Sequence, residues 1–80
     1  MYYVYIIKSI EGRYYVGQTE NVEKRLEQHN SKRYKGWTNR CNGWDVVYTE
    51  SFETRREAVV REHEIKRMKG GMEFKALLGS

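Results

Sequence analysis

The segment from Tyr2 to Lys8, Tyr-Tyr-Val-Tyr-Ile-Ile-Lys, constrains this chain more than any other, because every residue before the lysine is aromatic or β-branched. Residues of this kind favour extended backbone. The two-residue period of a strand sends Tyr3, Tyr5 and Ile7 to one side and Tyr2, Val4 and Ile6 to the other. Neither side is polar, so this strand needs cover on both faces. With 80 residues in all, that cover has to come from the few elements that follow, and one small domain over residues 1–80 is expected, with no separate regulatory or targeting module.

The following pattern supplies those elements. Arg13 to Thr19 is a second strand-like run, and Ser9, Ile10, Glu11 and Gly12 between the two runs make a hairpin turn. After Gly17 the period lengthens to that of a helix in Glu-Asn-Val-Glu-Lys-Arg-Leu-Glu-Gln-His-Asn, with Thr19 or Asn21 as its cap and a thin apolar stripe of Val22 and Leu26. Ser31 to Gly43 has no period and is expected as a long exposed loop, of the sort that tends to carry function. Trp44 to Glu50 alternates around Val46, Val47 and Tyr48 as a third strand. Thr54-Arg-Arg-Glu57 is a capping box opening a helix of about four turns to Met68, stopped by Gly70 and Gly71. A short helix through Phe74, Leu77 and Leu78 can follow. The order is strand, strand, helix, strand, helix, an α+β arrangement.

Composition narrows the classes. No apolar run approaches the roughly 20 residues that span a bilayer, and the N-terminus lacks a basic leader and a small-residue cleavage site, so a cytoplasmic chain with no membrane partner is expected. The lone cysteine, Cys41, excludes an internal disulfide and a cysteine cluster for zinc, and it is expected to be a bystander in the loop. The formal charge is +4, and its placement is uneven: residues 1–40 carry eight basic and four acidic side chains, whereas residues 41–80 carry seven of each. No acid occurs from Gln28 to Trp44. This suits an anionic partner, and it equally suits a solvated loop kept soluble by lysines.

Three groups of residues stand out chemically. Glu62 falls one turn after Ala58 and just under one turn before Ile65, in the middle of an apolar helical stripe. A carboxylate placed there needs an arginine, a set of backbone donors or a divalent metal opposite it. Arg25 and His29 share a helical face at i, i+4 and form either a phosphate clamp or a partly exposed surface pair. His63 points away from Glu62 and is peripheral. The seven tyrosines exceed what packing asks of a chain this short. A phenol, however, becomes a useful base only where a nearby cation favours phenolate.

Val4-Tyr5 in the first strand and Tyr15-Val16-Gly17 ten residues later resemble the two halves of the GIY-YIG signature. Arg25 stands eight residues after Gly17, as in that family, followed by His29 one turn later and by Glu62 within Glu-Ala-Val-Val-Arg-Glu-His-Glu-Ile-Lys. The resemblance runs from Tyr3 to about Lys69. It is to the compact single-domain bacterial members of the GIY-YIG nuclease family, which are similar to the nuclease module of the excision-repair excinuclease. Two positions depart from the signature: Tyr3 replaces the first glycine, and Val16 replaces the isoleucine. No counterpart of the downstream asparagine of larger relatives can be placed.

The resemblance implies a three-stranded antiparallel sheet flanked by helices and a metal-dependent endonuclease that hydrolyses phosphodiester bonds in DNA, structure-selective or nonspecific, with a link to DNA repair or processing. It implies Glu62 as the ligand of Mg2+ or Mn2+, Arg25 as the neutraliser of charge on the phosphate, Tyr5 and Tyr15 as residues that activate or orient the attacking water, and His29 as a proton carrier or phosphate holder. Gly17 would be the structural glycine of the motif. Lys32, Arg33, Tyr34, Lys35, Trp37 and Arg40 are then the expected nucleic-acid surface, with Tyr34 or Trp37 stacking on an unpaired base. A nucleic-acid-binding or partner-docking module with little turnover is the competing expectation, and RNA is the other possible substrate.

Overall fold

The computed structural model describes residues 1–31 and 36–79 and, of Trp37 and Asn39, the backbone alone. Three strands, β1 (Tyr2–Lys8), β2 (Tyr14–Thr19) and β3 (Asp45–Phe52), form one antiparallel sheet in the order β2-β1-β3. The doubly apolar run is therefore the central strand. Helix α1 (Val22–Asn30) lies between β2 and β3 in sequence, and α2 (Arg55–Met68) and α3 (Met72–Leu77) follow β3. This is the α+β fold expected from the pattern, with the short terminal helix present.

The cover demanded by β1 arrives in two layers. On one face Val4, Ile6 and Val16 pack with Ala58 and Ile65 of α2 and Phe74 of α3. On the other, Tyr5 and Ile7 pack with Cys41 and Trp44, flanked by Tyr15, Val46 and the Val22 and Leu26 of α1. Val4, Ile6 and Ile7 are completely shielded from solvent. Register ties the faces together, with Tyr5 opposite Gly17 on β2 and Thr49 on β3, and Ile7 opposite Tyr15.

Local chemistry sets the ends of the helices. The Asn21 side chain accepts from the Lys24 amide at 3.0 Å, and the Asn21 amide in turn donates to Thr19 Oγ1 at 3.1 Å, so both candidate caps take part. Thr54 and Glu57 close the capping box reciprocally at the start of α2. Gly70, in the left-handed region at φ 90°, follows its end.

The exposed loop expected over Ser31 to Gly43 is corrected by the structure. Trp37–Arg40 forms a 3-10 turn, and Thr38 and Cys41 are buried. Cys41 is a core residue of the second face, not a loop bystander. The segment is tied down by the Asn30 side chain, whose Oδ1 accepts from the Trp44 amide at 2.8 Å and whose Nδ2 donates to the Trp44 carbonyl at 3.0 Å. A segment without hydrophobic period can still be pinned by side chain to backbone bonds, which leave no periodic trace in sequence. Lys32, Arg33, Tyr34 and Lys35 lie outside the described residues.

Candidate active site

His29 is the buried residue of α1. Val22, Leu26 and His29 fall at i, i+4 and i+7, so the imidazole completes the thin apolar stripe of the helix. It is 0% exposed, and the expectation of a partly exposed Arg25–His29 pair is corrected accordingly. The spacing that signalled it was visible, but a polar residue was not counted into the stripe.

Two hydrogen bonds occupy the buried ring. His29 Nε2 lies 3.1 Å from Tyr5 Oη, and Nδ1 lies 3.0 Å from Thr38 Oγ1. Tyr5 is 2% exposed and Thr38 is also shut off from solvent. Trp44 Nε1 donates to the Thr38 carbonyl at 3.2 Å, fixing the turn that presents the threonine. Burial, with the Arg25 charge as a second cause, lowers the His29 pKa to about 4, so the ring is neutral near pH 7. A neutral imidazole has one donor and one acceptor nitrogen, which matches two hydroxyl partners. Thr38 was missed in the sequence, because a lone threonine in an aperiodic stretch carries no spacing signal.

Tyr15 joins the cluster from β2, its ring 4.8 Å from that of His29 and 6.1 Å from that of Tyr5. It is half-buried, so of the two tyrosines it is the one with a solvent-facing part. Gly17 explains how the rings fit. A Cβ at this position would meet Tyr5 Oη at 2.8 Å and Tyr15 Cε2 at 2.9 Å, closer than real contacts allow. The glycine serves close approach by side chains here and does not need a positive φ.

Arg25 is half-buried and lines a cavity of about 450 Å³ at the start of α1. Glu62 lies on α2, with its side chain 14% exposed and Oε2 2.6 Å from Lys66 Nζ. The stripe carboxylate thus has a cationic partner from its own helix, the residue at i+4. Lys66 is 49% exposed and able to swing away. Among the described residues no three His, Cys, Asp or Glu side chains converge as a metal cage. A single carboxylate with an open edge still fits Mg2+, which keeps several waters and takes one or two carboxylates. Arg40 is exposed at the end of the 3-10 turn that Trp37 begins.

A small antiparallel α+β domain thus brings the tyrosines of its first two strands against a helical histidine. The GIY-YIG catalytic domain model matches residues 1–74, and the chain belongs to the GIY-YIG family. It is 38% identical over 65 residues to a UPF0213 protein of Staphylococcus saprophyticus, spanning 81% of this chain and 79% of that one. With a UPF0213 protein of Halobacterium salinarum it shares 35% identity over 68 residues, 85% and 88% of the two chains. The solution NMR structure of a UPF0213 protein from Bacillus halodurans superposes with a TM-score of 0.51 at 28% identity, covering 95% of this chain and 94% of that one. Membership of this nuclease family implies a nucleic-acid substrate. No helix among the described residues is long and apolar enough to cross a membrane.

Proposed function

We propose that the protein is a divalent-metal-dependent endonuclease that hydrolyses phosphodiester bonds in DNA, selecting substrates by structure or not at all, with a role in DNA repair or processing. The observation that carries this reading is the buried line Tyr5, His29, Thr38, with the half-buried Tyr15 ring tilted against His29. A buried polar network whose members are bonded to one another fixes a single geometry.

Burial holds the His29 pKa well down, so the neutral ring is a weak base. His29 therefore serves to orient the Tyr5 hydroxyl. Being fully enclosed, the ring acts behind the tyrosines, and direct phosphate holding falls to Arg25, which neutralises charge developing on the phosphate oxygens. Water reaches the site past Tyr15, whose hydroxyl, together with that of Tyr5, orients the attacking water. Glu62 would hold the Mg2+ or Mn2+ ion, and the chemistry such an ion supplies when bound is polarisation of the scissile phosphate and stabilisation of the leaving oxygen. Lys32, Arg33, Tyr34, Lys35, Trp37 and Arg40 belong to the proposed DNA surface.

The test is cleavage of labelled single-stranded, flapped and duplex DNA with Mg2+ or Mn2+, for the wild type beside Glu62→Gln and Arg25→Ala. Metal-dependent cutting lost in both variants is expected. Normal cutting by Glu62→Gln would sink the mechanism, and DNA binding without cleavage under any metal would make the chain a docking module.

A further inference from the structure

The cavity beside Arg25 is built from more than the catalytic arginine. Lys24 and Arg25 of α1 and Arg55 of α2 all line it, against one acid, Glu20. None of the ion pairs among the described residues engages Lys24 or Arg55. The Arg55 guanidinium lies 5.6 Å over the Tyr2 ring, which positions the side chain and leaves its charge in place. Helix periodicity adds a second relation. Arg55 and Glu62 are seven residues apart on α2, so they share a face about 10 Å apart along the axis. Arg25, from α1, lines the same cavity as Arg55.

We infer that this cavity binds a backbone phosphate flanking the one that is cut, held by Arg55 and Lys24 beside Arg25. The inference rests on the nuclease reading and extends it. A nucleic-acid strand laid across the catalytic residues would pass this cavity before or after them. Arg55 and Lys24 are binding residues of the flanking strand, distinct in role from Arg25.

Anisotropy titration of a labelled single-stranded oligonucleotide across about 50 to 200 mM salt tests this, with Arg55→Ala, Lys24→Ala, Glu20→Gln and a control, Arg13→Ala, at the other end of the hairpin. Arg55→Ala and Lys24→Ala should each weaken binding about 5- to 20-fold at the lowest salt and flatten the slope of log affinity against log salt by about 0.7. Glu20→Gln should tighten binding, and Arg13→Ala should stay within about twofold of the wild type. In cleavage assays Arg55→Ala should raise KM and leave kcat nearly unchanged. Arg55→Ala and Lys24→Ala behaving like Arg13→Ala would overturn the inference, as would a fall in kcat at constant KM. Inorganic phosphate filling the cavity, followed by shifts in the NMR spectrum without competition against the oligonucleotide, would reassign it to a free small anion and overturn it too. Wild type that binds DNA and cuts it, with a silent Arg55→Ala, fails only this inference, whereas wild type that does neither fails the nuclease reading along with it.

Discussion

The two faces of the sheet share the same three strands and differ in what they enclose. The face under α2 and α3 is purely apolar at its centre, built from Val4, Ile6, Val16, Ala58, Ile65 and Phe74. The face under α1 mixes Ile7, Cys41 and Trp44 with the hydroxyls of Tyr5 and Thr38 and the imidazole of His29. Burial of apolar surface is non-directional and stabilises whatever the exact angle. Hydrogen-bonded polar groups contribute less net stability but specify one geometry. One face is held by burial alone and the other fixes a hydrogen-bonded geometry, while Glu62 lies on α2, the helix over the apolar face.

The sharpest way to separate the two is to damage each. Ile65→Ala, in the apolar face, should cost about 3 kcal/mol in urea unfolding while leaving the pH profile of cleavage unchanged. A shifted profile would show that the faces are not independent. The polar face should respond to acid instead. A histidine of ordinary pKa 6.5 in the unfolded chain takes up a proton before folded His29, at about 4, can do so. Stability is therefore full above about pH 6.5 and is lost as pH falls toward 4, by roughly 3 kcal/mol from this group. Urea titrations at several pH values on wild type and His29→Gln check this, and the variant should lack that part of the decline.

Smaller effects sharpen the same contrast. Gly17→Ala should cost about 1 to 3 kcal/mol, because Tyr5 and Tyr15 must move to admit the methyl, and near-ultraviolet circular dichroism should register their displacement. Thr38→Val takes the hydroxyl away from His29 Nδ1 and should cost about 1 to 2 kcal/mol, with a changed pH profile of kcat that Thr38→Ser restores. A purely structural role for the hydroxyl would leave that profile where it was. Lys66→Ala should change stability by less than about 0.5 kcal/mol, since its pair with Glu62 is half in water, and thermal melting would show this. A larger loss would mean that Glu62 depends on the lysine and is less open to a metal than its geometry indicates.

Legibility followed the same division. The strand order, the capping box of Thr54 and Glu57 and the stop at Gly70 were all readable, because each rests on contacts within a few residues or on a regular period. The apolar face was readable for the same reason. Glu62 and the Arg25–His29 pair stood out from helical spacing and the family signature added their expected roles, whereas the meeting of Tyr5, Tyr15, Gly17 and His29 in one cluster was not readable. Thr38 and the bonding of His29 were invisible because the bonds that join them to Tyr5 and Trp44 cross 24, 9 and 6 positions without any period. Lys66 as the partner of Glu62 lay one turn away and was available to an i, i+4 reading.

By itself the sequence determined that β1 is a strand needing cover on both faces, that the elements after it must supply that cover and that the motif residues stand in the family's order. Hydrophobic period and local capping act over short separations, so they can be read along the chain. Only the tertiary structure decided that the histidine is sealed and neutral, that a glycine makes room for two tyrosine rings, and that Arg55 meets Arg25 across a cleft. Those outcomes depend on which side chains share a small volume, and shared volume is set by how the faces close, not by position along the chain.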